Sequence, residues 1–544
     1  MKTVWLVLTA AMVATAIAAG PATVPTATAP SAASGPAAAV EGASPFESGL
    51  APTADTPIDK LVLHRLQELG IKPANVCSDS VFVRRAFVDA IGTLPTEREA
   101  GDFLLSKDPL KRGALIDRLL ARDEFADYWA MKWSDLLRVK AEFPINLWPN
   151  AAQAYHRWIL ACIRDNKPYD RFARELLTAS GSNFRSPPSN FYRAVQSRQP
   201  EAVAQAVALT FMGARAEKWP KERLAGMAAF FSSVGYKYTS EWKEEIVYFD
   251  LAKAASRSSG AASQPAATFP DGAAARIGAD QDPREVFADW LIDAKNPWFA
   301  RAIANRMWYW LLGRGIVQEP DDIRPDNPPS NPELLAYLER EVVASHYDLK
   351  HVFRLILNSQ TYQLSCIPTT TRPDAAANFA SYPLRRMDAE VLIDALCQIT
   401  GTTESYSSAI PEPFTYIPAG QRTIQLPDGS ITSSFLEMFG RPARNSGLES
   451  ERNNRPSAQQ RLFLLNSSRI HTKFSKGPKV QALLGGGGSF RDTVKKIYLT
   501  ILSRFPSEDE LKAAESQQGD AKGRATAEDV AWSLINSTEF LYRH

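Results

Sequence analysis

The sequence predicts a mainly α, multi-domain helical protein with a small β-hairpin element in its C-terminal half. Apolar residues recur at helical intervals along most of the chain, helix-start devices recur with them, and a single segment alternates as a strand would. Asp59 to Leu69 sets Leu61, Val62, Leu66 and Leu69 on one face, and Gly70 closes that helix. Thr96-Glu-Arg-Glu99 is a capping box, in which the Thr96 hydroxyl and the Glu99 carboxylate answer backbone N–H groups at a helix start. Ser507-Glu-Asp-Glu510 repeats the device. Further helices are expected over 111–120, 125–137, 151–164, 169–179, 200–212 and 283–292, then over 297–312, 332–345, 349–359, 388–400, 491–502 and 528–536. The β-hairpin is expected at 410–434, where prolines 411, 413, 418 and 427 accompany the alternation Thr423-Ile-Gln-Leu426 and a Pro-Asp-Gly turn.

The first twenty residues read as a signal peptide. Lys2 supplies the positive region, Val4 to Ala16 is uncharged and apolar, and small residues follow at Ala16, Ala18 and Ala19. That run is shorter than a bilayer span needs, and no later one is long enough. The chain is therefore expected to be exported, periplasmic or extracellular, with no integral membrane segment after cleavage. Residues 21–57, almost entirely Ala, Pro, Thr, Ser and Gly, read as a flexible tether. Beyond it the expected division is an N-terminal helical domain at 58–251, a linker or loop at 252–281, and a C-terminal helical domain at 282–544 that ends in a helical module from 490. A net charge of +2 gives no reason to propose nucleic acid as a partner. The four cysteines have neither CxxC spacing nor a disulfide-framework pattern, so buried free thiols are expected.

The densest polar stretch, Gly313 to Pro332, places Asp321, Asp322, Asp326 and Asn327 in a proline-stiffened loop. Those oxygens suit calcium, but the spacing is not that of an EF-hand, and rigid connectors with Asx-turns look the same. No metal site and no cofactor is therefore expected with any force. Just upstream, Trp298, Asn305, Arg306, Trp308, Tyr309, Trp310 and Arg314 form an aromatic, guanidinium-rich helix that would suit a sugar ring or simply a packed core. Glu244 and Glu245, with Glu241, would share a helix face, and crowded carboxylates do acid–base work when they raise one another's pKa; a solvated face is the plainer reading. Arg441, Arg444, Glu449, Glu451, Arg452 and Arg455 make either an anion cradle or an ion-pair network. Candidate catalytic carboxylates are thus Asp321, Asp322, Glu244 and Glu245. No nucleophile elbow, HExxH or phosphate loop is present.

Long motifs carry a family resemblance. Asp89-Ala-Ile-Gly-Thr-Leu-Pro-Thr96, Tyr128-Trp-Ala-Met-Lys-Trp-Ser-Asp-Leu-Leu-Arg138 and Asn166-Lys-Pro-Tyr-Asp-Arg-Phe172 resemble the N-terminal half of a secreted planctomycete and verrucomicrobial family, the domain of unknown function DUF1549. Asn305-Arg-Met-Trp308, Gly313-Arg-Gly-Ile-Val317, Asn331-Pro-Glu-Leu-Leu335 and Phe439-Gly-Arg-Pro-Ala-Arg444 resemble its usual partner, DUF1553. The resemblance implies no established activity. It implies a setting among secreted sulfatases and polysaccharide-degrading enzymes, and in many members a CxxCH haem motif. Here that motif falls on Arg215-Ala-Glu-Lys-Trp-Pro220, which has no Cys and no His, so this chain reads as a subgroup without haem. Three functions stay open: a binding or scaffold component of envelope polysaccharide processing, with polysaccharide or another secreted protein as partner; a polysaccharide hydrolase using paired carboxylates; and electron transfer, which the missing ligands disfavour. A shared cleft between Trp308/Arg314 and Arg441/Arg444, with a carboxylate raised in pKa, would favour an enzyme, and those groups dispersed through separate cores would favour a scaffold.

Overall fold

In the computed structural model, residues 44–258, 266–278, 280–486, 488–517 and 523–544 are described. The signal peptide and the first part of the tether lie outside them. From Ser44 the chain is held rather than loose. Ser48 N–H donates to Val76 O at 2.9 Å, Val76 N–H to Leu50 O at 2.8 Å, and Thr53 N–H to the Gln360 side chain at 2.8 Å. The Thr56 side chain then caps the helix Pro57–Glu68. Ala/Pro/Thr composition signals weak intrinsic order, but backbone groups that find partners on a folded body overcome it.

The protein is mainly α, with five short strands among the described residues. Lys111–Leu120 and Pro283–Ile292 are helical over the expected bounds, and both capping boxes form. The helix Asp79–Ile91 escapes periodicity because all but its first two residues are buried, Arg84, Arg85 and Asp89 included. A helix covered on every side has no polar face to mark its period. It ends at Gly92 (φ 59°), where a Cβ would meet the Tyr128 ring at 2.5 Å.

The hairpin expected at 410–434 is not formed. That segment is turns and one short 3₁₀ turn, Thr423–Gln425, whose N–H groups at Thr423 and Ile424 donate to the buried Asp394 carboxylate (2.8 and 3.1 Å). Its prolines remove ladder donors, and a side-chain acceptor takes the amides instead. The strands lie elsewhere. β1 (Gly181–Ser182), β2 (Val234–Tyr238) and β3 (Glu245–Phe249) form an antiparallel sheet in the order β1-β3-β2. Glu241 and Glu244 therefore sit in the β2–β3 turn and Glu245 begins β3, so the shared helix face does not exist. β4 (Arg385–Arg386) pairs antiparallel with β5 (Tyr542–Arg543), setting Arg385 opposite Arg543. Within 252–281, Phe269 stacks on Phe230 and on Trp290, with ring centroids at 4.9 and 5.0 Å.

Two helices position the site. Asp123–Leu136 and Phe299–Leu312 meet through indole rings: Trp310 lies 5.2 Å from Trp129 and 5.8 Å from Trp133, while Phe353 stands 4.3 Å from Trp129. Large rigid rings packed at these distances fix the two helices against each other. Gly313 (φ 69°) ends the second helix and turns the chain into the polar loop.

Candidate functional site

Over this aromatic seam opens a polar cleft of about 620 Å³. Six cations line it (Lys132, Arg385, Arg386, Arg452, Arg455 and Arg543), against three carboxyl groups, Glu319, Asp388 and Glu449. Tyr309, Trp310 and Tyr542 supply aromatic surface.

The floor is a buried charge network. Asp388 receives Lys132 Nζ at 2.8 Å, Arg543 Nη2 at 2.7 Å, the Tyr128 hydroxyl at 2.9 Å and the Asn454 amide at 2.6 Å. Burial alone would raise its pKa; Lys132, Arg543 and Arg452 outweigh that and hold the carboxyl well below the usual range. Arg543 also reaches Asp89 at 2.9 Å, whose other oxygen accepts the hydroxyls of Tyr362 (3.0 Å) and Tyr382 (2.7 Å). Behind this layer Arg452 spans Asp135 (2.6 Å) and Glu390 (2.7 Å). Arg444 meets Asp135 at 2.8 Å and Arg441 meets Glu390 at 3.3 Å. Burial works against ionised Glu390 as well, yet Arg452 and Arg441 bring its pKa down to about 2.

Glu449 differs from every other carboxyl in the cleft. Its side chain is 11 % exposed, its Oε1 accepts the Trp310 indole N–H at 2.7 Å, and Arg306 Nε lies 3.5 Å away. Its own backbone N–H donates to Asp321 Oδ2 at 2.7 Å. Burial first, and the neighbouring Asp321 charge next, push its pKa up to about 7 against the pull of Arg306, Lys132 and Trp310. A carboxyl poised there exchanges protons at neutral pH.

Of the residues singled out from sequence, Tyr309, Trp310, Glu449, Arg452 and Arg455 line the cleft, and Arg306 and Asp321 (paired at 2.6 Å) flank Glu449. Arg441 and Arg444 belong to the ion-pair network beneath, the second of the two readings of that cluster. Asn305 braces the polar loop, exchanging both of its hydrogen bonds with Val317 at 2.9 Å. Glu451 braces its own turn through the amides of Asn445 and Ser446. Trp308 is fully buried, edge-on to Phe379, so it is core and not a ligand surface. Arg314 is half-buried and does not line the cleft. Asp322 and Asp326 both pair with Arg324, and the Asn327 amide donates to the carbonyls of Gln318 and Asp322. The loop is thus braced by its own side chains, and among the described residues no three His, Cys, Asp or Glu side chains gather to hold a metal. Glu244 accepts the hydroxyls of Ser182 and Thr239, which lower its pKa, and Glu245 is paired with Arg193 and Arg198. Neither lines the cleft.

Reading by local motif missed Lys132, Arg385, Arg386, Asp388 and Arg543. The signal available was Leu384-Arg-Arg-Met-Asp-Ala-Glu390, four charges at the mouth of an otherwise apolar helix. The stretch Arg215 to Pro220 holds a 3₁₀ turn at Ala216–Lys218, and Arg215 pairs with Glu319 of the cleft wall at 2.9 Å. With no thiol and no imidazole, these residues do not fit a covalently held haem.

A helical chain with this cleft belongs to a two-part family of unknown function. The PSCyt2 model, described as a protein of unknown function (DUF1549), matches residues 57–232, and the PSD1 model, a protein of unknown function (DUF1553), follows at 283–517. Lys132 comes from the first and most of the cleft from the second; Tyr542 and Arg543 lie beyond both. No curated protein and no solved structure matches the chain. Among the described residues no helix is long and apolar enough to cross a membrane.

Proposed function

We propose that this is an exported protein of envelope polysaccharide processing whose cleft takes an acidic polysaccharide chain. The observation that supports this reading is the excess of cations over carboxyl groups along an aromatic-flanked cleft. Clefts lined by one sign of charge concentrate ligands of the other, and tyrosine faces suit the apolar side of a sugar ring. The paired-carboxylate hydrolase has less behind it. Asp321 is buried in an ion pair with Arg306, Asp322 is tied to Arg324, and Glu244 and Glu245 stand in a separate hairpin. Electron transfer has less still, because Arg215–Pro220 carries no haem ligand.

The test is binding of the purified mature protein to acidic and neutral polysaccharides at low and raised salt. Acidic chains should bind, binding should weaken as salt screens it, and Arg455→Ala should lower affinity several-fold. Arg455 is exposed and has no ion-pair partner among the described residues, so its removal leaves the fold intact. Equal binding of neutral chains would sink the charge argument. No binding by any chain would leave a scaffold for another secreted protein.

A further inference from the structure

We propose that Glu449 is the catalytic base of a β-elimination that cleaves uronate-containing polysaccharides in this cleft. The inference rests on the preceding reading and adds a reaction to it. Glu449 has one carboxyl oxygen anchored by Trp310 at 2.7 Å, while its side chain faces the cleft that Lys132, Arg385, Arg386 and Arg455 also line. A carboxylate held by one oxygen keeps the other for a reacting proton.

The surrounding charge decides the class of reaction. Glycoside hydrolysis builds positive charge on the sugar and uses two carboxyl groups, one on each side of the bond. Here the lining is predominantly cationic, and the other two carboxylates are committed. Asp388 is held by Lys132 and Arg543, and Glu319 by Arg215. Abstraction of the proton next to a carboxylate builds negative charge instead, which nearby guanidinium groups stabilise. Two lining cations have no carboxylate partner among the described residues, and of these Arg455 is the exposed one, while Arg386 lies beneath with its Nη2 donating to the Phe439 and Asn453 carbonyls. The Arg386 Nε and Nη1 find no acceptor among the described residues. Burial lowers the Arg386 pKa only to about 10, so it stays charged.

The step balances without a co-reactant. Glu449 takes the C5 proton of the uronate. The electron pair of that C–H bond forms a C4–C5 double bond, and the C4–O bond breaks with its electrons on the leaving oxygen. That oxygen takes a proton from water, and Glu449 returns its proton to solvent. One chain becomes two, and no water is consumed.

The experiment incubates the mature protein with polygalacturonate, alginate and a uronate-bearing glycosaminoglycan, and with carboxyl-reduced polygalacturonate. Binding, reducing ends and the ultraviolet absorbance of the unsaturated uronyl product are followed together. The expected result is absorbance rising with reducing ends on at least one uronate chain and none on the reduced chain. The rate should climb with pH through about 7, as Glu449 loses its proton among Arg306, Asp321, Lys132 and Trp310. Glu449→Gln should keep binding and lose about 100-fold or more in rate. Reducing ends without the absorbance would mean hydrolysis and overturn the proposal. Binding without cleavage would overturn it while leaving the binding function standing. Failure to bind any acidic chain would remove both.

Discussion

The carboxyl group of Glu449 accepts the indole N–H of Trp310 at 2.7 Å, across 139 residues of sequence. The same indole packs against Trp129 and Trp133, so the carboxyl is fixed by a rigid aromatic seam and not by a mobile side chain. Trp310→Phe keeps the packing and deletes the donor. A hydrogen bond to the ionised form favours it, so the Glu449 pKa should rise further above its value of about 7. Carbon-13 NMR titration of the Glu449 carboxyl reads the shift directly; a fall would contradict the arrangement.

Stability should depend on pH through the same group. The folded protein keeps the Glu449 proton up to about 7, whereas the group ordinarily loses it near 4.5. Between those values the folded state binds more protons than the unfolded chain, so this contribution is fully present below 4.5 and is lost as pH rises through about 7. The loss is on the order of 3 kcal/mol. Glu449→Gln should flatten the fall in urea-denaturation curves over that window. A mutant with an unchanged slope would place the proton elsewhere.

Arg452 should be the most costly single residue of the charge network. Arg452→Met leaves Asp135 and Glu390 without their closest partner in the interior. Breaking a buried pair from one side costs roughly 3–5 kcal/mol. A thermal melt should show a large drop, while Arg372→Met, which breaks an exposed pair with Asp374, should move the melt far less.

Two glycines should respond with opposite sign. Gly440 has φ 83°, and a Cβ there would stand 1.7 Å from Asn453 O, so Gly440→Ala must displace the backbone that leads to Asn454 and Arg455; a loss of about 2 kcal/mol or more is expected. Gly101 lies inside the helix Glu97–Leu105 with nothing within 4 Å of an added Cβ, so Gly101→Ala should gain about 1 kcal/mol. Chemical denaturation of the two variants against the parent measures both.

The helices with one dry face and one wet face were legible in the sequence, Lys111–Leu120 and Pro283–Ile292 to the residue. Asp79–Ile91 was not, because burial on all sides erases the period. The segment 410–434 misled because alternation is equally served by a coil whose amides find Asp394. In the site, Arg306, Asp321 and Arg452 stood out because they sit in dense polar stretches. Lys132, Asp388 and Arg543 did not, since they meet only after more than four hundred residues of chain have folded. Trp308 and Trp310 show the limit of pattern reading: two positions apart they point to different sides of one helix, and periodicity does not say which side is the cleft.

The Lys132–Asp388 contact, at 2.8 Å, joins the two family-matched segments. Either segment made alone would strand charges that the other neutralises, Lys132 in the first and Asp388 in the second. The two parts are therefore expected to be inherited as a unit: exchanging one against a distant relative's would succeed only if the lysine and the aspartate arrived with compatible neighbours. Any scheme that cuts the protein into modules for expression should keep that pair on the same piece.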